Sequence, residues 1–268
     1  MKRTFKSLRR SIRPFERKYA LLFFVLWNWR KRSDQVFRGA WRIVDQPHLK
    51  RRPKDRFGVP MRNVRHFQLR QLMKFLDPSF SPALRFDDEF LRTAFATPGV
   101  VACVHSQAEF AICAALDQVG VRTAFVSSTP VSQKELENYK FAVPPLNLLR
   151  GPDLFVQARA ALKNGRAIVC DTDFILDKGL PGAKICISTS LFEFRRMLKL
   201  NLFFGHVRIL EDGLMDCIFE ASPDGSTSAQ QDAHSFVGFI ERVSSPSTKL
   251  TIETWRSPGT QVGAARRQ

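Results

Sequence analysis

The chain lacks a run long enough to cross a bilayer. Its conspicuous apolar stretch, Tyr19 to Trp29, has 11 residues. As a helix this reaches roughly 16 Å, against about 30 Å of hydrocarbon. Also absent are G-x-G-x-x-G, the P-loop and the G-x-S-x-G elbow, so dinucleotide, nucleoside-triphosphate and serine-hydrolase chemistries have no carrier here. Cysteine is sparse: five, an odd number, with no two at zinc-ligand spacing. Neither a disulfide framework nor a structural zinc is expected, and the cysteines read as reduced, buried residues of a cytoplasmic-side protein. Internal repeats are missing too. Residues 71–268 carry no net charge, because 21 Lys and Arg face 21 Asp and Glu.

The formal charge of +17 therefore belongs to residues 1–70, with 21 basic residues against four acids. Such a segment seeks phosphate, on a membrane surface or a nucleic acid. The Tyr19–Trp29 run has the length of a signal-peptide core, but Arg30-Lys31-Arg32 follows it rather than a small-residue cleavage site. Trp27, Trp29 and the flanking cations suit an interfacial helix on an anionic membrane surface. Nucleic acid is disfavoured, since the aromatics cluster apart from the cations. The alternative is a core helix packed on the domain. Short helices are expected around Trp41–Val44 and Asn63–Leu76, with His48 and His66 solvated and without a role.

From residue 84 the pattern turns regular. Asp87 to Phe95 reads as a short helix, and Val100 to Val104 as a buried strand rich in β-branched residues. Apolar residues from Glu109 to Val119 recur at helical spacing, and Gly120 ends the helix. Further strands are expected at Arg122–Ser127, Leu146–Leu149, Ala167–Cys170, Lys184–Ile187, Leu202–Ile209 and Met215–Phe219. Helices are expected near Glu135–Tyr139, from Asp153 as cap to Asn164, at Leu191–Leu200 and at Asp232–Val243. Glu211-Asp212-Gly213 reads as a hairpin turn, and Lys249–Trp255 as a last short element. Alternation of strands with helices implies an α/β fold: a mixed, largely parallel sheet flanked by helices, with a basic helical N-terminal segment. The organisation expected is a membrane-associating segment over 1–83, an α/β domain over 84–256 and a tail over 257–268.

Polar groups gather at three strand ends: His105 with Glu109, Arg150, and Asp171 with Asp173. In open α/β sheets ligands collect at carboxyl ends of strands. If the first helical turn starts near Ser106, His105 and Glu109 share a face, and the carboxylate orients the imidazole and raises its basicity. That suits a general base; a capping role is the alternative. Ser106 is too local to pair with His105 as a nucleophile. His206, within a strand, reads as a core histidine, and His234 has no role.

Phe86 to Val126 resembles the corresponding part of the lysophospholipid acyltransferase superfamily, most like its lipid A late-acyltransferase (lauroyl/myristoyl acyltransferase) branch. There a helix and a Gly turn precede an apolar strand ending in His, with an acid shortly after. The likeness runs on through Leu148-Leu149-Arg150-Gly151, Ala161-Leu162-Lys163-Asn164-Gly165-Arg166-Ala167-Ile168-Val169, Asp173, Leu202 to Gly213 and Trp255. Two departures stand out: three residues rather than four separate His105 from Glu109, and the proline expected near Phe203–Val207 is missing. The resemblance implies an acyltransferase at the cytoplasmic face of the inner membrane. His105 would act as general base oriented by Glu109, with Arg150, Gly151 and Asp173 binding substrate. The acyl donor would be an acyl-carrier protein or coenzyme A thioester, the acceptor a lipid or glycolipid hydroxyl, and no metal or other cofactor is implied. The alternatives are an inactive lipid-binding relative, or a peripheral membrane glycosyltransferase that uses Asp171-Thr172-Asp173 as a D-x-D motif.

Overall fold

The computed structural model describes residues 33–44, 61–104, 109–128, 130–131, 133–176, 184–223, 225–243 and 254–255. The Tyr19–Trp29 run, His48 and the 257–268 tail lie outside them.

The body is an α/β sheet layered between helices. Its strands are β1 (Leu84–Arg85), β2 (Val100–Cys103), β3 (Thr123–Ser127), β4 (Leu146–Leu149), β5 (Ala167–Asp171), β6 (Asp173–Leu176), β7 (Lys184–Ser188), β8 (Leu202–Ile209), β9 (Met215–Ala221) and β10 (Thr254–Trp255). One sheet has the order β1-β9-β8-β2-β5-β3-β4, parallel at every pair except β8–β9. A smaller sheet, β10-β7-β6, grows from the end of β5, where Ser188 N donates to Thr172 O at 2.7 Å. Central strand β2 is Val-Val-Ala-Cys and wholly buried. Covered on both faces, it has no need of a polar alternation.

The helices are α1 (Ser33–Val44), α2 (Met61–Leu76), α3 (Asp88–Ala94), α4 (Phe110–Gln118), α5 (Gln133–Leu136), α6 (Leu154–Lys163), α7 (Ser190–Met197) and α8 (Ala229–Val243). Asp87 caps α3 as its sequence suggests, accepting from Phe90 N at 2.9 Å. Asp153 does not behave as expected: it occupies the N-cap position of α6 but makes no side-chain capping bond. The turn of helix expected at Glu135–Tyr139 forms two residues earlier, because Asn138 and Tyr139 are drawn inward by α2. Gln71 Nε2 donates to Asn138 Oδ1 at 3.0 Å, and Arg70 donates to the Tyr139 hydroxyl.

Two apolar layers sandwich the sheet. On one face α4 packs with Val101, Cys103, Val169, Phe203 and Val207. Every residue from Phe110 to Asp117 is buried, so α4 is covered on its outer side too. On the other face α6, α7 and α8 cover Val100, Ala102, Ile168, Leu202 and Phe204. The Phe204 ring lies 5.4 Å from Phe236 and 5.7 Å from Phe239.

A third cluster docks α1 and α2 on the β8–β9 hairpin through Phe37, Trp41, Leu69, Met73 and Ile209. Trp41 Nε1 donates to Leu210 O at 3.1 Å. His66 corrects the expectation of a solvated ring. It is fully buried, its Nε2 lies 2.8 Å from Gly213 O, and Phe37 and Trp41 meet it edge-on. Its neighbours on α2 explain why: His66, Leu69, Arg70 and Met73 fall on one helical stripe, and all four are buried.

Candidate functional site at the carboxyl edge of the sheet

The direction of chain crossing singles out one place on this sheet. The connection leaving β2 passes through α4 on the first face, and that leaving β3 passes through α5 on the same face. The route from β5 leads to α7 on the opposite face. β5 lies between β2 and β3. Neighbouring strands whose connections diverge leave a crevice outside their carboxyl ends, where ligands bind in open α/β sheets. By that rule the crevice falls outside the ends of β2 and β5, where Cys103 sits beside Asp171.

Polar groups gather at these strand ends. Cys103 Sγ donates to Asp171 Oδ1 at 3.2 Å, and both residues are buried. Thr172 locks the two strand ends together, its N and its Oγ1 donating to Cys103 O at 2.9 and 3.2 Å. Arg150, from the end of β4, reaches across β3 and donates through Nη2 to Asp171 O at 2.6 Å. Asn147 Nδ2 donates to Ser127 Oγ at 2.9 Å on the neighbouring pair of strands. Burial disfavours the thiolate form of the cysteines here. Burial, helped by the Asp171 charge, holds Cys103 well above the ordinary thiol range, and burial pushes Cys170 up to about 12 although Arg150 opposes it. Cys113 and Cys217 are also free, buried and raised by burial. The side chain of Cys186, on β7, lies outside the described residues.

His105 and residues 106–108 fall outside the described residues, and with them the expected first helical turn. Glu109 is described: it is the N-cap of α4, in helical backbone geometry, with no side-chain capping bond. Its negative charge is felt on the α4 face. Burial raises the Tyr139 phenol, Arg70 pulls it down, and Glu109 adds to the rise. Glu109 also adds to the rise at Cys113. The structure thus brings Asp171 and Arg150 together at the crevice. Asp173 starts β6, one residue beyond Thr172. Gly151 lies on the exposed turn after Arg150, where an added Cβ would meet open space.

No family model matches this chain, and no curated protein does.

Sequence reasoning passed over two residues near this edge. Cys103 ends a strand that reads as pure core, so nothing marked its thiol as a donor. Arg70 is buried against the rings of Phe67 and Tyr139, at 5.6 and 5.4 Å. Its position four residues after His66 on an otherwise apolar stripe was the available signal.

His206, in the core strand β8, is half-buried opposite Ile218. Burial, and then the charge of Arg208, push it down to about 4 from 6.5. Between those values the unfolded chain binds the proton and the folded one does not, so stability falls as pH drops from about 6.5 to about 4. The full loss is at most about 2 kcal/mol once partial exposure is discounted. Urea unfolding across that window should show the slope, and H206Q should flatten it; an unchanged slope in H206Q would refute the assignment.

Proposed function

We propose that the protein is a membrane-associated acyltransferase that moves a fatty acyl group from an acyl thioester to a lipid or glycolipid hydroxyl. One observation carries the reading. The central strand β2 runs out at the divergence of the chain crossings, and the next residues in sequence are Val104, His105 and then, at the start of α4, Glu109. A base there stands where an α/β sheet receives its ligand. The order of elements around it supports the likeness to lipid A late acyltransferases.

In this mechanism His105 takes the proton of the acceptor hydroxyl as its oxygen attacks the thioester carbonyl. The tetrahedral intermediate collapses, the C–S bond breaks, and the carrier thiolate leaves with the proton returned by the imidazolium. Glu109 orients the ring and stabilises its charged form. Arg150, tied by Nη2 to the Asp171 carbonyl, presents a positive charge beside the crevice for an anionic acceptor. Asp171 is drawn inward onto Cys103, a poor posture for holding a metal–sugar nucleotide, so the transferase of acyl groups is preferred over that of sugars.

The test is a mass shift: incubation with labelled acyl thioesters and a lipid extract should yield a lipid heavier by one acyl chain. A glycosyl product that disappears on adding a chelator would overturn the reading. Membrane attachment is assigned to the basic N-terminal segment. Each of its cations near an anionic surface contributes roughly 1 kcal/mol. Removal of Met1–Arg32 should release most of the protein from anionic liposomes in a sedimentation assay, and unchanged sedimentation would remove that assignment.

A further inference from the structure

We propose that the corner between β4 and α6 is a second lipid-contacting surface, carried by the body of the protein, which turns the carboxyl-edge crevice toward an anionic membrane. Three of the large apolar side chains that the described residues leave exposed fall within eight residues of sequence here: Leu149 at 41%, Phe155 at 50% and Val156 at 72% exposure. Arg150, Gly151, Pro152 and Asp153 form the exposed turn between them. Phe155 rests one part of its ring on Phe194, with centroids 5.4 Å apart, and leaves half of it exposed. α6 already buries Ala158 and Ala161 with Leu148 in the core, so Val156 faces outward on a helix whose inner side is satisfied.

The outer face of α6 also has a direction. Val156, Arg159 and Lys163 are spaced three and four residues apart and form one stripe, apolar at the start and cationic beyond. Between Leu149 and Lys163 there are three cations and one acid. Exposed apolar groups ahead of basic ones are the pattern of a helix end dipping into acyl chains while its cations meet head-group phosphate. A second copy seated corner to corner is a poor occupant, since each corner carries three cations against one acid. The geometry also serves access. Arg150 belongs both to this corner and, through Asp171, to the crevice, so a membrane seated on Phe155 and Val156 lies next to the opening. The choice of lipid as occupant rests on the membrane reading above; the placement of the contact does not.

The test uses the full chain bearing an environment-sensitive fluorophore on V156C, with Q118C as control. Gln118 is exposed at the far end of α4. Wild type taken through the same labelling sets the native-cysteine background. Vesicles are phosphatidylcholine alone, or phosphatidylcholine and phosphatidylglycerol in equal parts, with and without brominated acyl chains. A blue shift and bromine quenching at position 156 and not at 118, on anionic vesicles, is the expected result. Replacing both apolar groups (F155S with V156S) should weaken vesicle binding roughly tenfold. Co-sedimentation with no change at position 156 overturns the proposal while leaving membrane association standing. Failure of the chain to bind vesicles at all overturns both. A shift at 156 that follows protein concentration without lipid assigns the surface to self-association and overturns the lipid assignment.

Discussion

His105→Ala should lower acyl transfer by about 10²–10⁴-fold, the usual contribution of a positioned general base. The readout is the rate at which labelled acyl chain appears in lipid, at saturating thioester. Because His105 is proposed to act on the reacting hydroxyl, the loss should fall on kcat more than on KM. Glu109→Gln provides the companion measurement. A carboxylate beside the imidazole raises its basicity, so its loss should move the acid limb of the pH–rate profile to lower pH. A purely structural Glu109 would change the height of the profile and leave its pH position alone. If H105A transfers acyl groups as fast as wild type, the base lies elsewhere and the mechanism fails.

The second large effect concerns the clasp between the N-terminal helices and the β8–β9 hairpin. Gly213→Ala should lower the melting temperature by about 10 °C, corresponding to about 3–4 kcal/mol for a chain of this size. Two costs add. Gly213 has φ +82°, a region that disfavours any side chain with a Cβ. That Cβ would also sit 2.8 Å from the Trp41 ring, which is fully buried and hydrogen-bonded to Leu210 O. The ring has to move, and the Gly213 carbonyl is the group that meets His66. Differential scanning calorimetry reads the loss, and a drop below 2 °C would show that the turn relaxes around the new methyl. The same substitution should barely alter the Arg85–Asp216–Arg208 ion pairs further along β9, whose 2.7 and 2.6 Å contacts do not involve the turn.

Much of this architecture was legible in the residues. Strands at Leu146–Leu149 and Leu202–Ile209 form at their expected bounds, because runs such as Leu-Phe-Phe-Gly-His-Val-Arg-Ile bury one side or both. The Gly213 turn and the parallel order of β2, β3 and β5 follow from local turn chemistry and from alternation of strand with helix. What stayed hidden was long-range. Nothing near Asn138 or Tyr139 in sequence announces that Gln71 and Arg70 will draw them inward and shift α5. A histidine among arginines looks solvated until Phe37, Trp41 and Gly213 close around it. At the candidate site, Arg150 at its strand end could be anticipated from element order, but the divergence of the crossings could not, because it depends on β5 lying between β2 and β3. The Cys103–Asp171 bond could not, because it joins residues 68 apart across a register that only the folded sheet sets.

The clasp has a bearing on how the polypeptide is made. Trp41 and its acceptor Leu210 are separated by 169 positions, and His66 and Gly213 by 147. At about 5–20 residues per second, synthesis leaves a gap of roughly 10–30 s between the appearance of α1 and that of the hairpin it grips. For that interval Phe37 and Trp41 have only α2 and Phe80 to pack on and lack the hairpin half of their docking surface, while the cationic stretch ahead of them is already outside the ribosome. A bilayer within reach would shelter those aromatic rings until the hairpin arrives, so withholding membranes during cell-free translation should raise the aggregated fraction.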